Sequence, residues 1–176
     1  MICAPNVPSQ PYYIRQMLEL AQVNSDDIVY DLGCGDGRVL QIAVKEFGAK
    51  KAVGYELRTD IYQSAIRKIE KESLQDRIKI INNDLFKADI SEATVITLYL
   101  TPEGNELLKP KLLKEASLGT RIVNRSFRIH GWNPSKMEPS IGYIYIYLYI
   151  IPNAFRSPKK RKSIKNFFGS VIFWGV

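Results

Sequence analysis

Metal-binding and disulfide-forming residues are scarce in this sequence: its 176 residues include two cysteines and one histidine. Cys3 and Cys34 are too far apart for the C-x-x-C spacing of a metal-ligand pair. His130 has no cluster of acids beside it to complete a ligand set, so no metal site is expected and His130 reads as a polar loop residue. A structural disulfide is not expected, because Cys34 lies between two glycines and suits a small, weakly polar filler. That usage fits a reducing compartment, the cytoplasm. No apolar run approaches the ~20 residues of a membrane span. The N-terminus has neither a basic n-region nor an apolar h-region, the pattern expected of a chain without a secretory signal.

The end of the chain is basic without any acid to offset it. Residues 152–176 hold Arg156, Lys159, Lys160, Arg161, Lys162 and Lys165 and no Asp or Glu. Subtracting those six cations from the formal +7 leaves +1 for residues 1–151, so the pI of 9.4 belongs to the tail. A hydrophobic fraction of 45% and a charged fraction of 24% suit a single globular core. The division expected is a domain over 1–151 and a basic, aromatic tail over 152–176, in which Phe167, Phe168, Phe173 and Trp174 follow the basic run. That run (156–165) could contact nucleic acid or an anionic membrane, or the tail could be a plain appendage or pack its aromatics on the domain.

What the chain does carry is concentrated in residues 29–37, Val-Tyr-Asp-Leu-Gly-Cys-Gly-Asp-Gly. A hydrophobic strand (27–32) ends near Asp31 and runs into Gly33, Gly35 and Gly37, with a helical stretch (38–47) behind. Glycines there let the backbone turn sharply and approach a ligand, and free N–H groups at the next helix start would face its anionic end. The spacing is G-x-G-x-G, not the G-x-G-x-x-G of a pyrophosphate turn. With Asp31 ahead, the loop and Asp36 within it suit a cofactor bearing an amino-acid end, as S-adenosylmethionine does. Two more strand-end acids follow. Glu56 ends the run 51–56 and can accept ribose hydroxyls, or be a solvated acid. Asp84 ends the run 78–84 and can accept from an adenine amine with Leu85 over the ring, or be a turn acid.

These residues resemble a class I S-adenosylmethionine-dependent methyltransferase. More narrowly, the chain resembles the small archaeal protein-lysine methyltransferases and their relatives that modify mitochondrial proteins. That likeness rests on Val7-Pro8-Ser9 before the Met17–Ala21 helix, on 31–38, on Asp89-Ile90-Ser91-Glu92-Ala93-Thr94, on Leu107 to Leu112, and on Gly131-Trp132-Asn133-Pro134. It covers roughly residues 5–151. The resemblance implies an α/β fold: a Rossmann-like, seven-stranded, mostly parallel sheet with helices on both faces and an antiparallel C-terminal hairpin. It implies Asp31 to Gly37 as the cofactor loop, Glu56 and Asp84 as ribose and adenine acids, and Ser9 near the cofactor's carboxylate. Ser9 could instead cap a helix.

Ligands of such sheets bind outside the carboxyl ends of the strands. The acceptor pocket is therefore expected from Tyr99, Leu100 and Thr101 after the fourth strand, from Asn124 to Phe127 at the fifth, and from Trp132 at the side. Tyr99 and Trp132 could equally be packing aromatics. The expected partners are proteins with accessible lysines, this protein included, and the expected state is a monomer. An RNA, DNA or small-molecule methyltransferase, a non-catalytic cofactor-binding scaffold and a nicotinamide oxidoreductase are the rivals. The last lacks both the G-x-x-G spacing and room for a second domain. Leu100-Thr101-Pro102-Glu103 stands where base methyltransferases often have Asn/Asp-Pro-Pro-aromatic.

Alternating apolar runs and helical patterns predict βαβα order and a parallel sheet covered on both faces. Helices are expected over 12–23, 59–72 and 105–116, the last interrupted at Pro110. Further strands are expected over 93–100 and 120–127. Residues 143–151 alternate Tyr with Ile or Leu, a long strand whose tyrosine stripe could bind bases but is expected to pack under helices. Its hairpin partner would be 136–139, with a turn at 140–142 and an edge frayed or bulged by Pro139. The chain departs from the family at Asn124-Arg125-Ser126-Phe127, where relatives tend to carry Ser and a carboxylate.

Overall fold

The computed structural model describes residues 8–152. Cys3, Val7 and the residues of the basic, aromatic tail from 153 onward lie outside that range. Seven strands form one sheet in the order β3-β2-β1-β4-β5-β7-β6. They are β1 (Ile28–Leu32), β2 (Lys51–Tyr55), β3 (Ile78–Ile81), β4 (Val95–Leu98), β5 (Arg121–Arg125), β6 (Lys136–Pro139) and β7 (Tyr145–Ile150). β1 to β5 run parallel, whereas β7 is antiparallel to β5 and to β6. The expected sheet and hairpin are present.

Each face of the sheet buries its own apolar layer. On one side α1 (Pro11–Leu20), α2 (Arg38–Lys45) and α3 (Thr59–Lys71) cover Val29, Ala52, Ile80, Val95, Val123 and Ile146. Ile14, Met17 and Leu18 supply the i, i+3, i+4 stripe of α1, and Ala65 and Ile69 that of α3. On the other side α4 (Pro102–Glu115) sets Leu108 and Leu112 over Ile96, Leu98 and Ile122. Each such buried aliphatic side chain contributes roughly 1.5–3 kcal/mol.

Three local expectations are corrected. α4 starts earlier than position 105, because Pro102 occupies its first turn and Thr101 Oγ accepts from Gly104 N at 3.1 Å. It also runs unbroken through Pro110. Glu106, whose carbonyl loses its amide partner there, is exposed along with Pro110, so water can satisfy it, while buried Leu108 and Leu112 anchor the flanking turns. β6 pairs regularly with β7 at all four positions, Lys136↔Leu148 to Pro139↔Tyr145. As the outermost strand it tolerates a residue without an N–H. The tyrosine stripe is graded: Tyr149 is fully buried, Tyr145 exposed, and Tyr143 lies outside the strand, with positive φ beside Gly142 at the hairpin turn.

The chain order places β1 and β4 side by side although β2 and β3 intervene in sequence. This is the switch point at which doubly wound sheets open a crevice beyond the strands' carboxyl ends. Among the described residues no helix is long and apolar enough to cross a membrane.

Candidate active site

The turn after β1 is held by its own backbone. Gly33, Gly35 and Gly37 have φ of 95°, 53° and 77°, a region that side chains rarely adopt. Gly33 N and Cys34 N both donate to Tyr55 O at the end of β2, at 3.0 and 2.9 Å. Gly37 N donates to Cys34 O at 2.9 Å. Gly35 N donates to a Glu56 carboxylate oxygen at 3.0 Å, and Arg58 N to the other at 2.8 Å. These four loop amides are thus used within the protein, and Glu56 is what braces the loop. Each Glu56 oxygen keeps lone-pair capacity for a further donor.

Gly54, the penultimate residue of β2, makes the close approach possible. A Cβ there would lie 2.5 Å from Cys34 Sγ and 2.7 Å from Leu40 Cδ1. A glycine inside an apolar strand is the signal that sequence reading passed over. Cys34 is the filler expected, buried in that layer, and burial pushes its thiol well above its ordinary range.

Asp31 is 7% exposed and accepts a hydrogen bond from Thr97 Oγ on β4 at 2.6 Å. Burial is the main reason its carboxyl is pushed up to about 7; the Thr97 bond opposes the shift, and the charges of Glu56 and Asp36 add to it. A cation beside it would restore full ionisation. Asp36 differs. Burial would raise its carboxyl, but bonds from Arg38 and Lys68, with their charges, hold it well below the usual carboxylate range. Its oxygens accept from Arg38 Nε and Nη2 at 2.9 and 2.8 Å and from Lys68 Nζ at 2.8 Å. Asp36 therefore ties the loop to α2 and α3.

Asp84 caps the single turn Leu85–Lys87, accepting from Phe86 N at 3.0 Å. Leu85 and Leu100 converge on the loop: their Cδ2 atoms lie 4.0 and 3.8 Å from where a Cβ on Gly33 would stand. Ser9 is not the cap of α1, which begins after Gln10 with no side-chain cap. It bridges instead. Its carbonyl accepts from Arg38 Nη1 at 2.9 Å and its hydroxyl from Arg125 Nη1 at 3.0 Å.

The expected acceptor residues are distributed unevenly. Tyr99 is half-buried, with the Arg125 guanidinium 4.3 Å from its ring centroid and Tyr13 at 3.9 Å from the same group. Asn124 is fully buried, and its amide donates to Phe127 O at 2.8 Å; Asn105 donates to the same carbonyl at 3.4 Å. The Oδ1 atoms of both asparagines are buried without a hydrogen-bond partner. Phe127 is exposed and Leu100 buried. Trp132 is 1% exposed and packs edge-on to Tyr149 at 5.7 Å, within the α4-side layer. That is the packing alternative. Among the described residues no group of three metal-ligating side chains occurs.

A glycine turn braced by a strand-end acid, beside a buried acid at the switch point, is the arrangement expected of a methyltransferase. A family model for the ANTKMT methyltransferase domain matches residues 31–136. The chain belongs to that methyltransferase family. It is 48% identical over 150 residues to a protein-lysine N-methyltransferase of Saccharolobus islandicus (strain REY15A), spanning 84% of this chain and 93% of that protein. It is 28% identical to the adenine nucleotide translocase lysine N-methyltransferase of Mus musculus, spanning 74% of this chain but 56% of the mouse protein's length. Among solved structures, an RNA methyltransferase from Salinibacter ruber in complex with S-adenosyl-L-homocysteine superposes with a TM-score of 0.81 at 38% identity, covering 87% and 97% of the two chains. The matched residues 31–136 hold the glycine turn, Glu56, Asp84 and the segments around Tyr99 and Asn124, while Ser9 precedes them.

Proposed function

We propose that this methyltransferase uses S-adenosylmethionine to methylate lysine side chains of proteins. The observation that carries the reading is the 48% identity to a protein-lysine N-methyltransferase across 93% of that protein's length. The braced glycine turn at the switch point is where the cofactor fits: a tight loop with glycine at alternate positions, a buried acid for an ammonium, and Glu56 with acceptor capacity to spare. Asp31 takes the ammonium, Glu56 the ribose hydroxyls and Asp84 the adenine amine, with Leu85 and Leu100 against the ring. Ser9 lies by the carboxylate, and Gly33, Gly35, Asp36 and Gly37 shape the loop.

S-adenosylmethionine supplies an activated methyl group on a sulfonium. The protein's task is to align a nucleophile with it and exclude water. A lysine amine must arrive neutral, although its ordinary pKa is ~10.4. Desolvation between aromatic walls such as Tyr99 and Phe127 lowers that value, so no dedicated base is needed and His130 has no part. The proposal further takes residues 1–151 as the catalytic domain, acting as a cytoplasmic monomer on proteins that include itself, with 152–176 as a dispensable tail whose basic run is free to meet nucleic acid or an anionic membrane.

A second reading, methylation of RNA, is favoured by the likeness to the Salinibacter ruber enzyme. Against it, +1 over residues 1–151 offers little to neutralise phosphates. Incubation with tritiated cofactor and mixed proteins, total RNA or DNA separates the two. Label in protein that disappears when lysines are blocked is the expected outcome; label confined to nucleic acid defeats the lysine reading.

A further inference from the structure

A rim of exposed apolar side chains stands at the carboxyl edge of the sheet, around the tip of the β6–β7 hairpin. Tyr12, Phe127, Ile141, Tyr143 and Tyr145 are all exposed, Tyr143 completely. Hydrogen bonds join the segments that carry them. Tyr13 Oη donates to Ile141 O at 3.3 Å, Ser140 Oγ donates to Gln16 Oε1, and Ser126 N donates to Tyr145 O at 2.9 Å. The hairpin tip is thereby tied both to α1 and to the end of β5, where the acceptor pocket is expected.

The backbone is strained at this rim. Among the described residues four that are not glycine have positive φ. Gln22 and Ser73 directly follow the C-caps of α1 and α3, where a left-handed residue commonly ends a helix. The other two, Ser126 at 71° and Tyr143 at 59°, both lie on the rim. A bulky side chain is rarely found in that region, and a wholly exposed ring recovers nothing by packing. Strain of this kind collects where another molecule is gripped.

The chemistry of that molecule follows from charge. Residues 8–14, 99–102, 126–127 and 139–147 contain no Asp, Glu, Lys or Arg, in a chain that is 24% charged. Arg125 beneath them is buried between Tyr13 and Tyr99. Phosphates, or a strongly acidic or basic segment, find no exposed countercharge in these segments. Apolar side chains of a protein do find a match, since contiguous exposed aromatics are the mark of a protein-binding surface.

We propose that this rim docks the substrate protein by taking uncharged, apolar residues that flank the target lysine. Ile141 and Tyr143 hold the flank, and the lysine passes Phe127 toward the methyl group. The inference rests on lysine being the acceptor, and narrows the substrates to lysines set in apolar sequence.

The test is steady-state methylation by the full chain of two synthetic peptides of equal length, each with one lysine. In one the lysine lies among Ala, Val and Leu; in the other it lies among Glu and Arg. The wild type should favour the apolar peptide by about tenfold or more in kcat/KM. Tyr143→Gly, which suits the local φ, combined with Ile141→Ser should raise KM for that peptide by about tenfold, with kcat and S-adenosylmethionine affinity unchanged. No preference between the peptides, an unchanged KM, or an equal loss in cofactor affinity overturns the proposal. So does protection of residues 141–145 from hydrogen exchange in the enzyme alone. Protection that falls on dilution would make a second copy the occupant, and protection that persists would make it the chain's own residues 153–176. Methylation of lysines in mixed proteins but in neither peptide would refute the docking rim alone, whereas no methylated lysine anywhere would sink the lysine reading beneath it.

Discussion

Two arginines on one strand, four residues apart and on one face, are treated in opposite ways. At the amino edge of the sheet Arg121 pairs with buried Asp27 and donates to Ala21 O and Gln22 O, the first of these at 2.7 Å. Asp27 also accepts from Thr94 Oγ at 2.7 Å and Asn24 N at 2.9 Å. At the carboxyl edge Arg125 has two aromatic rings and one hydroxyl, and no acid. The amino edge is a closed lock. The carboxyl edge keeps a buried cation and two asparagine oxygens unmatched, which costs stability and makes sense where other molecules bind.

The comparison breaks first at the amino edge. Arg121→Met leaves Asp27 as a buried acid without its cation and should cost about 3 kcal/mol of stability, the low end of the usual range because Arg121 keeps 22% of its side-chain surface in water. Thermal melting should show this large drop, while ligand affinity of the remaining folded protein stays near wild type. A melting point within a degree or two of wild type would mean that the lock is ornamental.

Glu56→Ala acts at the other edge and in the other currency. It removes the acceptor for Gly35 N and the expected ribose contact, so affinity for S-adenosylmethionine should fall by roughly 1.5–3 kcal/mol. NAD should remain a poor ligand throughout. Unchanged calorimetric affinity would dissociate Glu56 from the cofactor.

Smaller at neutral pH is the titration of Asp31, pushed up to about 7. An ammonium ligand prefers the ionised carboxylate, so binding must expel a proton once pH drops below that value. Affinity should be flat above 7 and fall by up to about tenfold per pH unit below it. Asp31→Asn should bind weakly with no such slope. For stability without ligand the sign is reversed. A raised carboxyl in the folded state favours folding at low pH, and that contribution is lost as pH rises from the ordinary carboxylate range through about 7.

The smallest expected effect is that of truncation after Ile151. β7 ends at Ile150, and Ile151 O accepts from Gly119 N at 2.7 Å, so the last described contacts of the sheet are retained. The shortened chain should melt and bind cofactor like the full one. Precipitation or lost binding would place residues 153–176 in the folded unit.

Much of this site was readable because its determinants are local. Alternate glycines after an apolar strand dictate backbone conformation within five residues, and strand-end acids need only the βαβ order to be placed. What escaped depends on register between distant segments. Thr97 reads as one polar residue in an apolar strand until β4 docks beside β1 and sets it against Asp31. Gly54 gains meaning only when Cys34 folds back over it. Arg125 stood in a segment noted for a missing acid, yet its partners Ser9, Tyr13 and Tyr99 come from positions about 25 to 115 residues away. The bond from Lys68 to Asp36 depends on α3 docking beside the loop, 32 residues on, whereas Arg38 is only two residues from it. Pro110 and Pro139 misled for a complementary reason: each sits where solvent or an outer edge forgives its missing N–H.

The central claim is that the carboxyl edge delivers methyl groups to lysine. Tandem mass spectrometry of a protein lysate, with this enzyme's own peptides included, after incubation with deuterium-labelled S-adenosylmethionine reads that chemistry site by site. The account predicts labelled methyl groups on lysine ε-nitrogens, lost in the Glu56→Ala variant. Labelled RNA, with lysines unmodified in every protein, would contradict it.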